Sequence, residues 1–174
     1  NAVLLAVFAV VPTSFVSATF LGTKERIAEQ ERAARERALL EIVPKSRHDN
    51  AMLDDPVDVS GFDLLGYTET RKAFVARKGG QVVAVILPAV APDGYGGKIE
   101  LIVGVNADGS IAGVRPLAHT ETPGLGDKIE PKKSDWIFDF DGKSLGNPSE
   151  ELWRVKKDKG VFDQFSGATI TPRA

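Results

Sequence analysis

The first 22 residues of the chain, from Asn1 to Gly22, contain no charged side chain. As an α-helix that rises about 1.5 Å per residue, this stretch reaches roughly 33 Å, which is enough to cross a bilayer core of about 30 Å. Pro12 interrupts the apolar run, but membrane helices tolerate proline. The length and the lack of charge therefore predict a transmembrane helix at residues 1–22.

A cleavable signal peptide is the alternative for this segment, because Val16-Ser17-Ala18 resembles a cleavage site. A cleaved peptide would be removed from the protein, whereas this segment is part of the chain, so we expect an uncleaved anchor. Ser14, Ala18 and Gly22 are four residues apart and give one helix face small side chains. Such faces suit close docking on another membrane helix, although small residues are common in these helices. We expect membrane partners.

A charged connector is predicted at residues 23–56. Residues 23–43 are rich in helix formers of both charges, which is typical of a solvated helix that leaves the membrane. Pro44 ends this helix, and a polar segment follows it. Because the chain lacks an initial methionine and stops five residues after Thr169, we also expect it to be a piece of a slightly longer protein.

The composition excludes several kinds of chemistry. A net charge of −2 without a basic patch argues against nucleic-acid binding. The absence of cysteine excludes disulfides, thiolate catalysis, iron–sulfur ligation and cysteine-type zinc sites. The two histidines, His48 and His119, lie far apart in the sequence and form no metal-binding cluster. A cofactor that moves electrons in this protein is expected to be organic.

From Val57 onward the pattern predicts a β-rich domain over residues 57–174. Gly79-Gly80 and Asp108-Gly109 are hairpin signals between runs of β-forming residues. The predicted strands are Thr70 to Arg77, Gln81 to Pro88, Lys98 to Val105 and Ile111 to Pro116. The fold class is therefore α+β, with one transmembrane helix and a mixed or antiparallel sheet flanked by helices.

Residues 127–158 add aromatic side chains, which we expect to pack in the core and on the surface: Trp136, Phe138, Phe140 and Trp153. Two more short strands are predicted here. One follows the turn at Asp141-Gly142, and the other includes Val155-Lys156.

A run of small and hydroxyl-bearing residues, Ser166-Gly167-Ala168-Thr169, lies near the end of the chain. Thr169 presents an alcohol in a niche with small walls, and Asp163 stands six residues earlier. A threonine hydroxyl without an adjacent base is a poor nucleophile, so the pattern favours a covalent attachment point over a catalytic triad. The alternative is a polar turn that caps the next helix.

A second special loop runs from His119 to Gly126. Its proline and two glycines predict a tight bend with bare backbone N–H groups. Leu125 can lie flat against a ring system, while Glu121 and Thr122 supply polar contacts. Two alternatives stay open. His119 and Glu121 are two metal ligands without a third, and the glycines suit a phosphate without forming a Walker or Rossmann motif.

The two motifs together resemble the FMN-binding domain family, which includes the G subunit of the Rnf electron-transport complex and its relative in the sodium-pumping NADH:quinone oxidoreductase. The resemblance implies FMN esterified through its phosphate to Thr169. It implies recognition of Asp163 by a flavin transferase. It also implies cofactor contacts from the remaining residues of the two motifs and from a lysine: Ser166, Gly167, Ala168, Glu121, Thr122, Gly124, Leu125 and Lys156.

Asp93-Gly94-Tyr95-Gly96-Gly97, followed by Lys98-Ile99-Glu100, resembles the Rnf branch of the family. That branch implies an electron-relaying subunit, not a catalyst alone, in a bacterial inner-membrane complex that links ferredoxin and NAD to ion translocation. Its partners would be other membrane subunits, with the soluble domain in the periplasm. Lys24 and Arg26 do not decide the orientation. The alternatives are a flavin subunit of a sodium-pumping NADH:quinone reductase, or of another reductase, and a colourless, non-redox interaction module.

Overall fold

A computed structural model describes residues 2–60 and 63–174. One α-helix, α1 (Ala2–Ile42), precedes a five-stranded antiparallel sheet in which each strand pairs with the next along the chain. The strands are β1 (Pro56–Val59), β2 (Arg71–Lys78), β3 (Gln81–Gly94), β4 (Gly97–Asn106) and β5 (Ile111–Ala118). The α+β prediction is confirmed. The contacts divide the chain into two units, residues 1–37 and 38–174.

The first unit is helical and carries exposed apolar side chains along residues 3–21. Its hydroxyl groups fold back onto the helix: Thr13, Thr19 and Thr23 each donate to the carbonyl oxygen four residues earlier, at 2.6, 2.9 and 2.8 Å. This pairing leaves these hydroxyls satisfied without water. By length and composition, α1 is a helix that can cross a membrane.

Helix α1 runs without a break past residue 22 and ends two residues before Pro44. Proline disfavours the helical conformation of the residue before it, which explains this end point. The predicted boundaries at residues 22 and 56 stay predictions.

The hairpins form at the predicted glycines, but β3 and β4 are longer than predicted. Gly79 and Gly80 have φ of 56° and 80°, as a two-residue hairpin turn requires. Residues 92–97, whose proline and glycines favour a loop, are mostly strand, because Gly94 pairs with Gly97 across a register shift that follows Ala91. The register shift accommodates Pro92, which has no N–H to donate, so cross-strand pairing continues almost to the tip of the β3–β4 hairpin.

One face of the sheet packs against the end of α1. Leu39, Ile42 and Val43 form a buried cluster with Met52 and side chains of β2, β3 and β4: Phe74, Ala76, Ala84, Ile86 and Ile102. The helix approaches the sheet so closely that a Cβ at Gly104 would lie 2.2 Å from Ile42 Cγ2.

A buried arginine also joins this helix end to β5. Arg115 Nε donates to Glu41 Oε2 at 3.0 Å, and Nη1 donates to the Val114 carbonyl oxygen at 2.7 Å. Its guanidinium carbon lies 4.6 Å from the centre of the Phe138 ring. The charge is therefore both paired and stacked inside the protein.

The opposite face carries the C-terminal segment, in which aromatic rings pack on one another. The Phe140 ring stacks on Phe162 at 4.5 Å between centroids, and Trp136 meets Phe140 edge-on at 5.2 Å. The segment contains short 3-10 helices, of which the second carries Trp136 and Phe140: Asp127–Ile129, Trp136–Phe140, Glu150–Leu152, Lys156–Asp158 and Thr171–Arg173. Within residues 63–174, the one other helix is the 3-10 helix Asp63–Leu65.

The two short strands predicted in this segment are wrong. After the turn at Asp141-Gly142, only the isolated bridges Ser144–Asn147 and Gly146–Ser149 form, and the segment before it, Trp136–Phe140, is a 3-10 helix. Near the second predicted strand, only an isolated bridge between Val155 and Phe162 forms before the 3-10 helix Lys156–Asp158.

Candidate functional site

The two special loops of the sequence meet in the structure. A Cβ at Gly167 would lie 3.1 Å from Leu125 Cδ2, so the leucine side chain rests on the glycine backbone. Gly167 has φ of 83° and is the third residue of a turn closed by the Ala168 N–H, which donates to the Phe165 carbonyl oxygen at 3.3 Å. A type II turn requires this positive φ, which glycine adopts without strain.

The turn is anchored at its start by aromatic packing. Phe165 is buried, and its ring meets Trp136 edge-on at 5.0 Å between centroids. Trp136 Nε1 also donates to the Asp163 carbonyl oxygen at 2.7 Å. The beginning of the motif is therefore fixed to the 3-10 helix Trp136–Phe140, a support that the sequence did not reveal.

Two hydroxyl groups in this motif and a third just after it, on Thr171, have different surroundings. Ser166 is exposed, and Thr171 is buried with its hydroxyl donating to Glu121 Oε2. Thr169 is half-buried, and its Oγ1 makes no hydrogen bond to any residue that the structure describes. Among the three, Thr169 is therefore the hydroxyl that is half-buried and has no hydrogen-bond partner in the part of the chain that the structure describes.

The alternative of a capping turn finds no support in the geometry. The next helix, Thr171–Arg173, has Ile170 at its N-cap and no side-chain capping hydrogen bond. The hydroxyls of Ser166 and Thr169 donate to no backbone group of that helix, and the Arg173 N–H bonds instead to the Ile170 carbonyl oxygen at 2.8 Å.

The loop from 119 to 126 does not present the bare N–H groups predicted for it. The Thr122 carbonyl oxygen accepts from the N–H groups of Leu125, Gly126 and Asp127, at 3.1, 2.9 and 3.4 Å. These three hydrogen bonds to one carbonyl oxygen hold the loop in a tight turn. This part of the prediction is wrong, and the inward N–H groups do not form a phosphate cradle.

A buried carboxylate closes the far end of this loop. The Gly124 N–H group, followed by Lys133, holds the pKa of Asp127 below its ordinary value. Lys133 Nζ lies 3.4 Å from Asp127 Oδ2. Thr122, Pro123, Gly124 and Leu125 are exposed, whereas both residues that flank them are buried. The tip of the loop is therefore exposed to solvent, while its two ends are buried in the protein.

His119 and Glu121, the two possible metal ligands, use their polar atoms within the protein. His119 Nδ1 accepts from the Glu121 N–H at 3.3 Å, and Nε2 lies 3.3 Å from Glu130 Oε1. The Glu121 carboxylate is buried and accepts from the Gly96 N–H at 2.8 Å. Within residues 2–60 and 63–174, no three histidine or acidic side chains gather as a metal site requires.

Lys156, the remaining predicted residue, is paired with Asp163. Lys156 Nζ lies 2.6 Å from Asp163 Oδ1, and the two side chains are 58% and 61% exposed. Exposed ion pairs of this kind contribute little stability. The pair puts a lysine at the beginning of the C-terminal motif and leaves both charges accessible to a partner.

A large apolar cavity lies elsewhere, between the β3–β4 face and the aromatic rings. Its volume is about 670 Å³, and its walls include Ala91, Leu101, Trp136 and Phe140. The predicted site residues do not line it, although Trp136 and Thr171, which contact or follow the motif, do. The candidate site is therefore the surface where the two loops meet, and this cavity is separate from it.

Comparison with known proteins adds two family matches. The FMN-binding domain matches residues 94–174, and the RnfG N-terminal region matches residues 1–42. A Pseudomonas aeruginosa protein, named as the G subunit of an ion-translocating oxidoreductase complex, is 56% identical over 174 residues, which are 100% of this chain and 81% of that protein. Proteins of the same name from Shewanella loihica and Vibrio cholerae are 47% and 45% identical, with the whole of this chain covering 82% and 83% of their lengths.

Proposed function

The chain belongs to the family of G subunits of ion-translocating oxidoreductase complexes, and on this premise we propose that it is a membrane-anchored flavoprotein subunit with FMN bound covalently at Thr169. The observation that carries the attachment site is the half-buried hydroxyl of Thr169, which has no hydrogen-bond partner among the described residues, whereas Thr171, two residues later, is buried and hydrogen-bonded. The FMN-binding domain match, residues 94–174, includes both loops of the candidate site.

The residues present fit a flat ring held at the surface. Leu125 supplies an exposed apolar side chain directly above the glycine of the motif. Ser166, Gly167 and Ala168 keep the approach to Thr169 free of bulk, and the exposed Thr122 and Gly124 extend the surface. A covalent link removes the need for a deep pocket, because the bound group cannot dissociate.

Attachment uses FAD as the donor and a separate flavin transferase. Thr169 Oγ1 forms a bond to the phosphorus on the riboflavin side of FAD, while the P–O bond to the AMP moiety breaks. AMP leaves with the bonding electrons, and the threonine hydroxyl proton is released. The product is a phosphodiester, which keeps about one negative charge where a free terminal phosphate carries nearly two. Asp163, exposed beside Lys156, is the proposed recognition point for the transferase.

The bound flavin would supply electron uptake and release, while this chain supplies its position. An exposed loop surface suits exchange of electrons with neighbouring subunits, and Lys156, paired with Asp163, places a positive charge near the start of the motif. We assign the chain to electron relay within an Rnf-type complex that couples ferredoxin and NAD to ion translocation. The proposed location is the bacterial inner membrane, with residues 57–174 in the periplasm and α1 among other membrane subunits.

Intact mass under denaturing conditions tests this function. The full chain, produced together with a flavin transferase, should gain the mass of FMN less one water, and the denatured band should fluoresce. The gain should map to the peptide that contains Thr169. Thr169→Ala should abolish the gain, whereas the control Thr70→Ala, at an exposed threonine outside the candidate site, should retain it.

Two outcomes would contradict the proposal. An unmodified wild-type chain beside an active transferase would favour a non-redox interaction module. Covalent flavin on Thr169→Ala would place the attachment elsewhere. A yellow wild-type protein that exchanges electrons with quinone-reductase subunits, and not with Rnf subunits, would favour the related sodium-pumping complex.

A further inference from the structure

One buried carboxylate joins three separate segments beside Thr169. The Glu121 side chain is 5% exposed, and its Oε1 accepts from the Gly96 N–H at 2.8 Å. Its Oε2 accepts from the hydroxyl of Thr171, which is 4% exposed. The tip of the β3–β4 hairpin, the loop after β5 and the C-terminal motif therefore share a single acceptor group.

The two glycines beside Glu121 leave no space for a side chain. A Cβ at Gly126 would lie 2.9 Å from both Glu121 Oε2 and Thr171 Oγ1, and a Cβ at Gly96 would lie 2.1 Å from the Thr120 carbonyl oxygen. Thr120 Oγ1 also donates to the Gly96 carbonyl oxygen at 2.6 Å. Glycine at both places lets the backbones approach, and the close packing fixes where Thr171 can stand.

Burial makes these hydrogen bonds necessary for the position of Thr171. A carboxylate removed from water loses its solvation and must be compensated by donors within the protein. Gly96 and Thr171 are the donors to Glu121 in the part of the chain that the structure describes. Loss of the Thr171 hydroxyl would leave a buried oxygen unpaired, so the chain would move to bring another donor or water to it.

Thr169 lies between this junction and the anchored turn. On one side, Ala168 closes the turn onto the buried Phe165. On the other side, Thr171 is held by Glu121, and Arg173 pairs with Asp158 through two hydrogen bonds of 2.7 and 2.8 Å. The backbone at Thr169 is thus constrained from both directions while its own hydroxyl remains free.

We infer that Glu121 is a positioning residue for the modification of Thr169 and that it acts through the hydroxyl of Thr171. This inference rests on the proposed function. A hydroxyl held in the geometry of attack reacts faster than a mobile one, because the orientation is already set before the reaction. Glu121 itself need not touch the flavin.

The test is the rate at which a purified flavin transferase, supplied with FAD, modifies the full chain in detergent. Thr171→Val keeps the shape of the side chain and removes the donor, and Thr171→Ser restores the donor. We expect Thr171→Val to lower kcat by about 10- to 100-fold with little change in the KM for FAD, as loss of a hydrogen bond to a buried charge predicts. Thr171→Ser should recover most of the rate.

Glu121→Gln provides a second variant if Thr171→Val folds poorly. The glutamine amide can accept from Gly96 through its oxygen and donate to the Thr171 oxygen through its nitrogen, so the junction survives without the charge. We expect a rate within about fivefold of wild type, because one neutral hydrogen bond replaces a charged one. Ile86→Val, in the buried cluster on the other face of the sheet, controls for general loss of stability.

Modification of Thr171→Val at the wild-type rate would overturn the inference while leaving the proposed function intact. Failure of Thr171→Ser to recover the rate, or an equal loss in Ile86→Val, would also overturn it, since the effect would then reflect stability alone. Absence of modification in the wild-type chain would remove the proposed function, and this inference with it.

Discussion

The Leu125 side chain lies on the backbone of Gly167, with 3.1 Å between Leu125 Cδ2 and the place where a Cβ would stand. The two residues are 42 positions apart in the sequence, yet they join the loop after β5 to the motif that contains Thr169. A side chain at position 167 would therefore force the Leu125 side chain to shift by a few tenths of an ångström.

Gly167→Ala should slow flavin attachment. The alanine Cβ would press on Leu125, and the positive φ of 83° would cost about 1–2 kcal/mol. Gly142→Ala is the matched control, because Gly142 has φ of 73° and nothing within 4 Å of its Cβ position. Both variants should lose similar stability in urea unfolding, and only Gly167→Ala should slow modification. Equal rates in the two variants would show that the Leu125 contact has no part in the site.

Leu125→Ala should change the environment of the attached flavin without much loss of stability. Leu125 is 39% exposed, and Leu152 is a control with 38% exposure outside the candidate site. We expect the visible circular dichroism of the flavin to change in Leu125→Ala and to remain as in wild type in Leu152→Ala. An unchanged spectrum in Leu125→Ala would argue that the ring packs elsewhere.

The Lys156–Asp163 pair should matter for modification and hardly at all for folding. Its exposure predicts a contribution of about 0–1 kcal/mol to the free energy of unfolding. Lys156→Asp combined with Asp163→Lys restores the ion pair with its charges exchanged, and we expect normal stability but slow flavin attachment, because the transferase would meet the wrong charge at position 163.

The Lys72–Asp58 pair supplies the control for this exchange, since its side chains are also 58% and 61% exposed and its charged atoms are 2.5 Å apart. The same exchange there should change neither stability nor modification. Normal modification of the Lys156–Asp163 exchange would remove the proposed recognition role.

Asp127→Asn should destabilise the loop at neutral pH and lose this effect in acid. The folded-state pKa of Asp127 lies below its ordinary value, because the Gly124 N–H group and then Lys133 favour the ionised carboxylate. The stabilisation is therefore fully present above the unfolded pKa of about 3.9 and is lost as the pH falls through the lower, folded value.

Urea unfolding of wild type and Asp127→Asn should thus give a constant difference between pH 7 and about pH 5, which shrinks below about pH 4. Asp139→Asn, at an exposed position, serves as the control. A difference that grows as the pH falls would contradict the direction of the shift.

Leu39→Ala should destabilise the sheet domain by about 2–5 kcal/mol, because Leu39 is fully buried between the end of α1 and the sheet. Leu145→Ala removes an exposed side chain and should change the free energy of unfolding by less than about 0.5 kcal/mol. A small effect of Leu39→Ala would mean that the helix end is not part of the cooperative core.

Some features of this protein follow from short stretches of sequence. The absence of charge before residue 23 predicts a long apolar helix, and Gly79-Gly80 predicts a hairpin, because both signals depend on neighbouring residues alone. The string from Ser166 to Thr169 identifies the candidate attachment motif in the same way. The sequence pattern failed after residue 142 and at residue 155, where only isolated bridges form, because a strand also needs a neighbouring strand to pair with and local sequence does not supply one.

Trp136, Gly96 and Thr171 were missed as site residues, and only the adjacency of Thr171 to the motif offered a signal. Their roles arise from hydrogen bonds to residues distant in sequence, such as the 50-residue separation between Glu121 and Thr171. The sequence also could not tell that the Thr122 carbonyl oxygen collects three N–H groups. The sequence alone determined which residue types are present and where the chain turns. The tertiary structure decided that the Thr171 hydroxyl is buried and that the Thr169 hydroxyl has no partner. Burial depends on contacts that form only when the sheet brings distant loops together.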